Sequence, residues 1–309
     1  MKGTLNNLPG LRLEDYRKTI NLDEAKEKID SSSVTEDQYI SAVNDLLNFF
    51  TTEGIITSTQ IPIQKAEKRK LLHAIQNIWA KPLDSMVHQR FAIVLDYEKQ
   101  KKGIVDINTL PTLEGEGVSA EGLPLTQLMI WKGDITRLKA DVIVNAANNQ
   151  LLGCFKPLHA CIDNAIHTSA GPQLREDCQT IMSVQGHAEW TGDAKITRAH
   201  HLPSRFVLHT VGPIISHTPL SEADEESLAS CYTSCLNLAA QVESIRSVAF
   251  CAISTGVFGY PKLPAANTAI RTVGEWVNQH KERFERVVFN VFSREDEVIY
   301  RSALATYGK

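Results

Sequence analysis

The 309-residue chain contains no apolar run near the roughly 18 residues that a bilayer-spanning helix needs. Its first stretch, MKGTLNNLPGLRLEDYRK, has no apolar core of the kind a secretory leader carries. The expectation is a cytoplasmic protein with no membrane partner. No charge of one sign dominates. The 32 Lys and Arg residues stand against 36 Asp and Glu, a net charge of -4. That balance offers no electrostatic grip on nucleic acid or anionic lipid. The chain also lacks internal repeats and low-complexity segments, a Gly-Lys-Ser/Thr phosphate loop and a dinucleotide fingerprint. Six cysteines are present: Cys154, Cys161, Cys178, Cys231, Cys235 and Cys251. In a reducing compartment these are thiols or metal ligands rather than a disulfide framework. What remains is 43% hydrophobic and 22% charged, a globular composition with material for a sizeable core.

The pattern changes character near residue 125. Before it the signal is helical. TEDQYISAVNDLLNFF places Tyr39, Val43, Leu46, Leu47 and Phe50 on one face, and Thr35 with Gln38 forms a capping box at its start. AEKRKLLHAIQNIWA repeats the pattern with Leu71, Leu72, Ile75, Ile78 and Trp79 before Pro82 breaks it. LDSMVHQRFAIVLDYEKQKKG predicts a third helix that buries Val87, Phe91, Val94 and Leu95 and stops at Gly103. The basic run Lys65 to Lys70, interrupted by Glu67, reads as a solvated helix face. The Gly- and Pro-rich stretch after Gly103 has no periodicity and reads as a connection.

After Leu125 strands and helices alternate. LMIW, DVIVNAA, RFVLHTVG, SVAFCAIS and RVVFNVF read as short buried strands. SLASCYTSCLNLAAQVE carries the stripe Leu228, Cys231, Cys235, Leu238 and Val242. LPAANTAIRTVGEWVNQH carries Ala266, Ile270, Val273 and Val277. Such alternation implies an α/β fold, a sheet covered by helices on both faces. Ligands of such sheets bind outside the carboxyl ends of the strands.

Three loops follow strands there. KGDIT sets Asp134 behind a glycine; Gly-Asp is a common turn and by itself reads as one, though a carboxylate there can also accept from an amino group such as that of adenine. NAAN sets Asn145 and Asn148 at a strand exit with only alanines between, so that backbone and ligand can approach closely. STGVFGYP offers Ser254, Thr255, Gly256, Val257, Phe258 and Gly259, with hydroxyls and several backbone N–H groups suited to a phosphate or diphosphate.

The second loop continues as LLGCFKPLHACIDNAIH. Cys154, His159 and Cys161 form a Cys-x4-His-x-Cys pattern. Thiolates and imidazole are good zinc ligands, and three of them leave the fourth tetrahedral position open. His167 is the nearest further candidate. A nucleophilic Cys–His pair, or two small buried thiols beside a loop histidine, are the other readings of this spacing. His200 and His201 read as an exposed loop feature.

In order along the chain, KGDITRLKADVIVNAANNQLLG, AIHTSAGP, TGDAKIT, HTVGP and ISTGVFGYP resemble the macrodomain family, the ADP-ribose-binding fold, over residues 126–305. The resemblance implies a three-layer α/β/α sandwich with a central mixed sheet for residues 126–309, preceded by a helical region and linker, 1–125. It implies that Asp134 binds the adenine amine, that Ile135 adds a backbone group and that Phe292 flanks the base. The loop Ser254, Thr255, Gly256, Val257, Phe258 and Gly259 would wrap the diphosphate. Asn148 would reach the distal ribose, and Asp163 falls where the family's catalytic aspartate stands.

The family's usual glycine run after LLG is replaced here, and the loop is longer. In that respect, and in its helical extension, the chain resembles a zinc-dependent bacterial subclass with Cys154, His159 and Cys161 as ligands. The subclass is associated with sirtuin-type ADP-ribosyltransferases acting on a lipoyl-carrier protein. The implied activity is hydrolysis of mono-ADP-ribose from protein side chains, acidic ones above all, with ADP-ribose as product. The competing expectations are an ADP-ribose reader without hydrolysis, which has no need of an open metal site, and an O-acyl-ADP-ribose hydrolase.

Overall fold

The expected helical faces become the helices of the N-terminal half in the computed structural model, which describes residues 10–24 and 34–308. Residues 1–9, on which the reading of a leaderless start partly rests, lie outside the described residues. The helices are α1 (Leu13–Tyr16), α2 (Glu36–Thr52), α3 (Lys65–Ile78) and α4 (Ser85–Lys102). The capping box at the start of α2 is present: Thr35 Oγ1 accepts from the Gln38 N–H at 3.3 Å, and Gln38 Oε1 accepts from the Thr35 N–H at 2.8 Å. Gly103 ends α4 with φ 75°, in the left-handed region.

Tyr39, Val43, Leu46, Leu47, Phe50, Leu72, Ile75, Trp79, Val87, Phe91, Val94 and Leu95 close into one apolar cluster. Full burial of each Val, Leu, Ile or Phe side chain among them contributes roughly 1.5–3 kcal/mol. Ile78, expected in this core, is exposed instead, because α3 ends there and turns away. The basic run is not wholly solvated either. Arg69 turns inward and donates from Nε and Nη2 to the two carboxylate oxygens of Glu98 on α4, at 2.5 and 2.9 Å.

The strands are β1 (Val105–Asp106), β2 (Leu128–Lys132), β3 (Leu138–Lys139), β4 (Val142–Ala147), β5 (Ala194–Arg198), β6 (Phe206–Val211), β7 (Ser247–Phe250) and β8 (Arg286–Val291). Six form one sheet in the order β2-β8-β7-β4-β6-β5, and β1 pairs with β3. The sheet is parallel except for β5, which runs antiparallel to β6 and makes it mixed. β5 was not foreseen as a strand. Its AKITR sequence carries Lys195 into the interior, where Nζ meets Glu189 Oε2 at 2.6 Å, and two charges in five residues conceal the apolar pattern.

The helices α5 (Ile162–Ala170), α6 (Pro172–Gln185), α7 (Glu222–Ala240), α8 (Lys262–Gln279) and α9 (Arg294–Thr306) flank this sheet. α5 packs on β4, α6 on β5, α7 on β5 and β6, and α9 on β2 and β8. The stripes of α7 and α8 face the core as expected, with Cys231, Cys235 and Cys251 as small buried hydrophobes.

The apolar core does not divide at residue 125. Leu13, Tyr16, Ile20, Leu22, Leu113, Ala120 and Leu123 belong to the cluster of the sheet, while α2 to α4 carry their own. The Tyr16 hydroxyl accepts from the Ile196 N–H of β5 at 3.0 Å, and the Leu113 N–H donates to the Leu128 carbonyl at 2.8 Å. The unpatterned connection is thus ordered by the sheet it borders. Among the described residues no helix is long and apolar enough to cross a membrane.

Candidate functional site

Four parallel strands lie side by side in the order β2-β8-β7-β4, so their carboxyl ends share one edge. Asp134 follows β2, Phe292 follows β8, the 254–259 loop follows β7, and Asn148 follows β4. Residues up to about 160 positions apart in sequence thus form one row. Asn290 of β8 ties two members together, donating from Nδ2 to the Gly133 carbonyl at 2.9 Å.

At the first end, Asp134 caps a short 3-10 turn, Ile135–Arg137, and its Oδ1 accepts from the Thr136 N–H at 2.9 Å and the Thr136 hydroxyl at 2.6 Å. Burial opposes ionisation, but these bonds and the Lys102 ammonium outweigh it and hold the carboxyl below its usual range. Lys102 comes from α4 and stands 3.5 Å from Oδ2. Ile135 is buried, whereas Phe292 is 79% exposed beside this end of the row.

The 254–259 loop is closed by Tyr260 N–H to the Ser254 carbonyl at 3.0 Å and by Gly259 N–H to the Gly256 carbonyl at 3.1 Å. Thr255 donates its hydroxyl to the Ala252 carbonyl. Gly256 and Val257 are exposed and Phe258 is half-buried. Ser254 is buried with φ 64°, and its Oγ has no partner among the described residues. It sits against Gly212, where a Cβ would lie 2.0 Å from Ser254 Oγ and 2.9 Å from Ile253 Cγ2. Gly212 thus shapes the loop from β6. Its signal was present in HTVGP, but the contact depends on strand order.

At the far end Asp163 occupies the first turn of α5 and is buried. Asn145, the buried asparagine of β4, donates from Nδ2 to Asp163 Oδ1 at 2.8 Å. The same nitrogen stands 3.2 Å from Nδ1 of His209, its register partner on β6. Asn145 therefore acts from inside the sheet, while Asn148 lines the loop. Asn148 Oδ1 accepts from the Gln150 N–H, and its Nδ2 donates to the Gly153 carbonyl at 2.8 Å and stands 3.5 Å from Asp163 Oδ2. Burial pushes the Asp163 carboxyl up to about 6, against the pull of Asn145 and the Arg175 guanidinium. A carboxyl near neutrality in a buried site is poised for proton transfer.

Beneath it His167, Cys178 and His209 group in the core. Burial lowers His209 to about 3 and His167 well below its ordinary value, so both rings are neutral. His167 thus belongs to this buried group and not to the loop cysteines.

Cys154, His159 and Cys161 do come together, half-buried, with their ligand atoms within 4.8 Å of one another. Cys154 Sγ lies 3.4 Å from His159 Nδ1. A tetrahedral zinc with bonds of about 2.3 Å to sulfur and 2.0 Å to nitrogen spaces a sulfur and a nitrogen ligand roughly 3.5 Å apart, close to the Cys154–His159 separation, and two thiols with an imidazole are ligand types that suit the ion. Among the described residues no fourth His, Cys or carboxylate joins them. Burial pushes the Cys161 thiol up to about 11, more than the Asn164 N–H pulls it back. Asn164, which sequence reasoning missed, clasps the loop from α5: its Nδ2 donates to the carbonyls of Lys156 at 2.9 Å and His159 at 3.1 Å.

His200 and His201 are not an exposed feature. His200 Nε2 meets Asp177 Oδ2 at 2.7 Å and His201 Nδ1 meets Asp96 Oδ1 at 3.3 Å, both largely buried between α4, α6 and β5. Adjacent histidines in a Pro- and Ser-containing turn look solvated until their acidic partners fold over them.

The sheet order, the loops on its carboxyl edge and the buried Asp163 beside Asn148 define a macrodomain, and the chain belongs to the Macro domain family, whose pattern matches residues 144–269. Its similarity to individual members is extensive. A protein-ADP-ribose hydrolase of Treponema medium is 45% identical over 249 residues, covering 80% of this chain and 91% of the relative. A Trypanosoma brucei macrodomain in complex with ADP has a TM-score of 0.57 and 28% identity, covering 76% of this chain and 95% of that one. An Oceanobacillus iheyensis macrodomain with ADP has a TM-score of 0.51 and 41% identity, covering 58% and 90%.

Proposed function

We propose that this chain is a zinc-dependent hydrolase that releases mono-ADP-ribose from modified protein side chains, acidic residues joined by an ester-like linkage above all. The observation that carries the reading is the setting of Asp163. It is a buried carboxylate pinned on one oxygen by Asn145, facing the Asn148 amide with the other, two residues from the last of three zinc-type ligands. A module that only binds ADP-ribose has no use for that combination. The relatives' name, protein-ADP-ribose hydrolase, supports the hydrolytic part of that reading.

ADP-ribose would lie along the strand-end row. Asp134 accepts from the adenine amine and Phe292 flanks the base. The 254–259 loop presents backbone N–H groups to the diphosphate. Asn148 steadies the distal ribose. Cys154, His159 and Cys161 would hold the zinc, whose contribution when bound is to polarise an oxygen ligand, mildly, because two thiolates nearly cancel its charge. Asp163, while ionised, steadies positive charge developing at C1″ and accepts the proton of the attacking water. The bond from C1″ to the acyl oxygen breaks, the side-chain carboxylate leaves with the electron pair, and Asp163 returns its proton to solvent. Asn145 keeps the carboxylate aimed throughout.

The test is incubation of the full chain with mono-ADP-ribosylated proteins of defined linkage, a lipoyl-carrier protein among them, with and without a zinc chelator. Released ADP-ribose is followed by chromatography, and the metal content is measured by elemental analysis. About one zinc per chain and chelator-sensitive release are expected. Undiminished release after the metal is removed defeats the catalytic role of zinc, and binding without release makes the chain a reader.

A further inference from the structure

The helical unit α2–α4 ends against the ligand loop. The loop from Gly153 to Cys161 is an awkward piece of backbone. Gly153, Phe155 and Leu158 all have positive φ, 92°, 52° and 58°, and only the first is a glycine. Left-handed conformations at Phe and Leu are costly and persist only where surrounding contacts over-determine them. Asn148 holds the start of the loop at Gly153, and Asn164 holds it at Lys156 and His159, on either side of Leu158. Its middle, Leu158, is held by the other lobe.

Asn77, next to last in α3, is buried, and both ends of its amide are used. Its Oδ1 accepts from the Leu158 N–H at 2.9 Å. Its Nδ2 donates to Thr168 Oγ1 of α5 at 3.1 Å. The backbone carrying Asn77 is itself fastened to the macrodomain. Arg175 of α6 donates to the carbonyls of Gln76 at 2.9 Å, Asn77 at 3.1 Å and Trp79, and from Nε to the Leu152 carbonyl, at the entry of the loop, at 2.7 Å. One guanidinium thus ties the end of α3 to the start of the ligand loop, and one amide ties it to the residue before His159.

We infer that Asn77 is a positioning residue for the zinc ligands: it sets the backbone at Leu158, and through it the place of His159 between Cys154 and Cys161. The inference deepens the proposed function and rests on its zinc reading. It makes the helical extension a working part of the site. Removing an outer partner of a metal ligand typically lowers metal affinity roughly 10–100-fold.

The experiment compares the full-length wild type with Asn77→Ala, Asn77→Leu and Thr168→Val. Zinc affinity is measured by competition with a chromophoric chelator, amide exchange at Leu158 by hydrogen–deuterium exchange, and ADP-ribose affinity by calorimetry. Asn77→Ala should lower zinc affinity about 10–100-fold and speed exchange at Leu158 about tenfold or more, with ADP-ribose affinity within about threefold of wild type. Asn77→Leu keeps the volume and is the second variant should the alanine form not fold; the same losses are expected. Thr168→Val breaks the other bond of Asn77 and should leave zinc affinity near wild type. If Thr168→Val loses as much zinc affinity as Asn77→Ala, the effect belongs to the interface at large and the inference falls. It falls equally if the Asn77 variants exchange and bind zinc like wild type. A wild type that binds no zinc defeats the zinc reading alone, and exchange at Leu158 then still decides whether Asn77 holds the loop.

Discussion

Replacing Gly212 by alanine puts a single methyl group against Ser254 and Ile253, at the start of the 254–259 loop. The added Cβ would stand 2.0 Å from Ser254 Oγ, 3.3 Å from Ser254 Cβ and 2.9 Å from Ile253 Cγ2. Rotation of the serine hydroxyl relieves only the first contact, so the backbone at 253–254 must move as well. Ser254 already sits at φ 64° and carries the carbonyl that closes the loop onto Tyr260. Overpacking of this kind costs about 1–3 kcal/mol. At about 1.5 °C per kcal/mol for a 309-residue chain, the melting temperature should fall by about 2–5 °C. The displaced loop should also bind ADP-ribose about tenfold more weakly, a loss of roughly 1.4 kcal/mol in loop presentation. The assay is thermal melting and calorimetric titration of Gly212→Ala, Ser254→Gly and the double variant. Glycine at 254 suits the left-handed backbone and removes both serine contacts, so the double variant should recover more than half of the lost stability. A Gly212→Ala protein with wild-type melting and affinity, or a double variant no better than the single one, would refute the reasoning.

Asp163→Ala should slow release of ADP-ribose by about 10²–10⁴-fold while calorimetry finds ADP-ribose affinity within a few-fold of wild type. Asn145→Ala removes a bond to a buried carboxylate and should cost roughly 1.5–3 kcal/mol in chemical denaturation, with turnover falling further than affinity. Lys195→Met leaves Glu189 buried and uncompensated and should cost about 3–5 kcal/mol, whereas Lys195→Met with Glu189→Leu should melt near wild type.

The parts of this protein that were legible in its sequence are local. The capping box at Thr35, the faces of α2 and α4 and the stripes of α7 and α8 follow from spacings within one element. The Cys-His-Cys set could be read because its members lie within eight residues. Less legible was whatever depended on a distant partner. β5 is a local exception: the counter-charge of Lys195, Glu189, is close in sequence, but a lysine in a short strand reads as exposed until the fold buries the pair. The paired histidines looked solvated because Asp177 and Asp96 lie on two separate helices. Asn145 and Asn148 looked alike in NAAN. Asn145 lies within β4 and meets Asp163 and His209, whereas Asn148 lies just past the strand's end and holds the loop at Gly153 while facing the other oxygen of Asp163.

By itself the amino-acid sequence determined the kinds of element, the loops that carry polar chemistry and the three candidate zinc ligands, because periodicity and short spacings act before any long-range contact forms. Tertiary structure decided that β2, β8, β7 and β4 are neighbours and so aligned Asp134, Phe292, the 254–259 loop and Asn148 in one row. It also decided the proton affinity of Asp163, since desolvation exists only once α5 is packed against β4. And it decided what holds the ligand loop, because the amide that receives Leu158 comes from a helix some eighty residues earlier, brought there by Arg175 and the packing of α3 on α5.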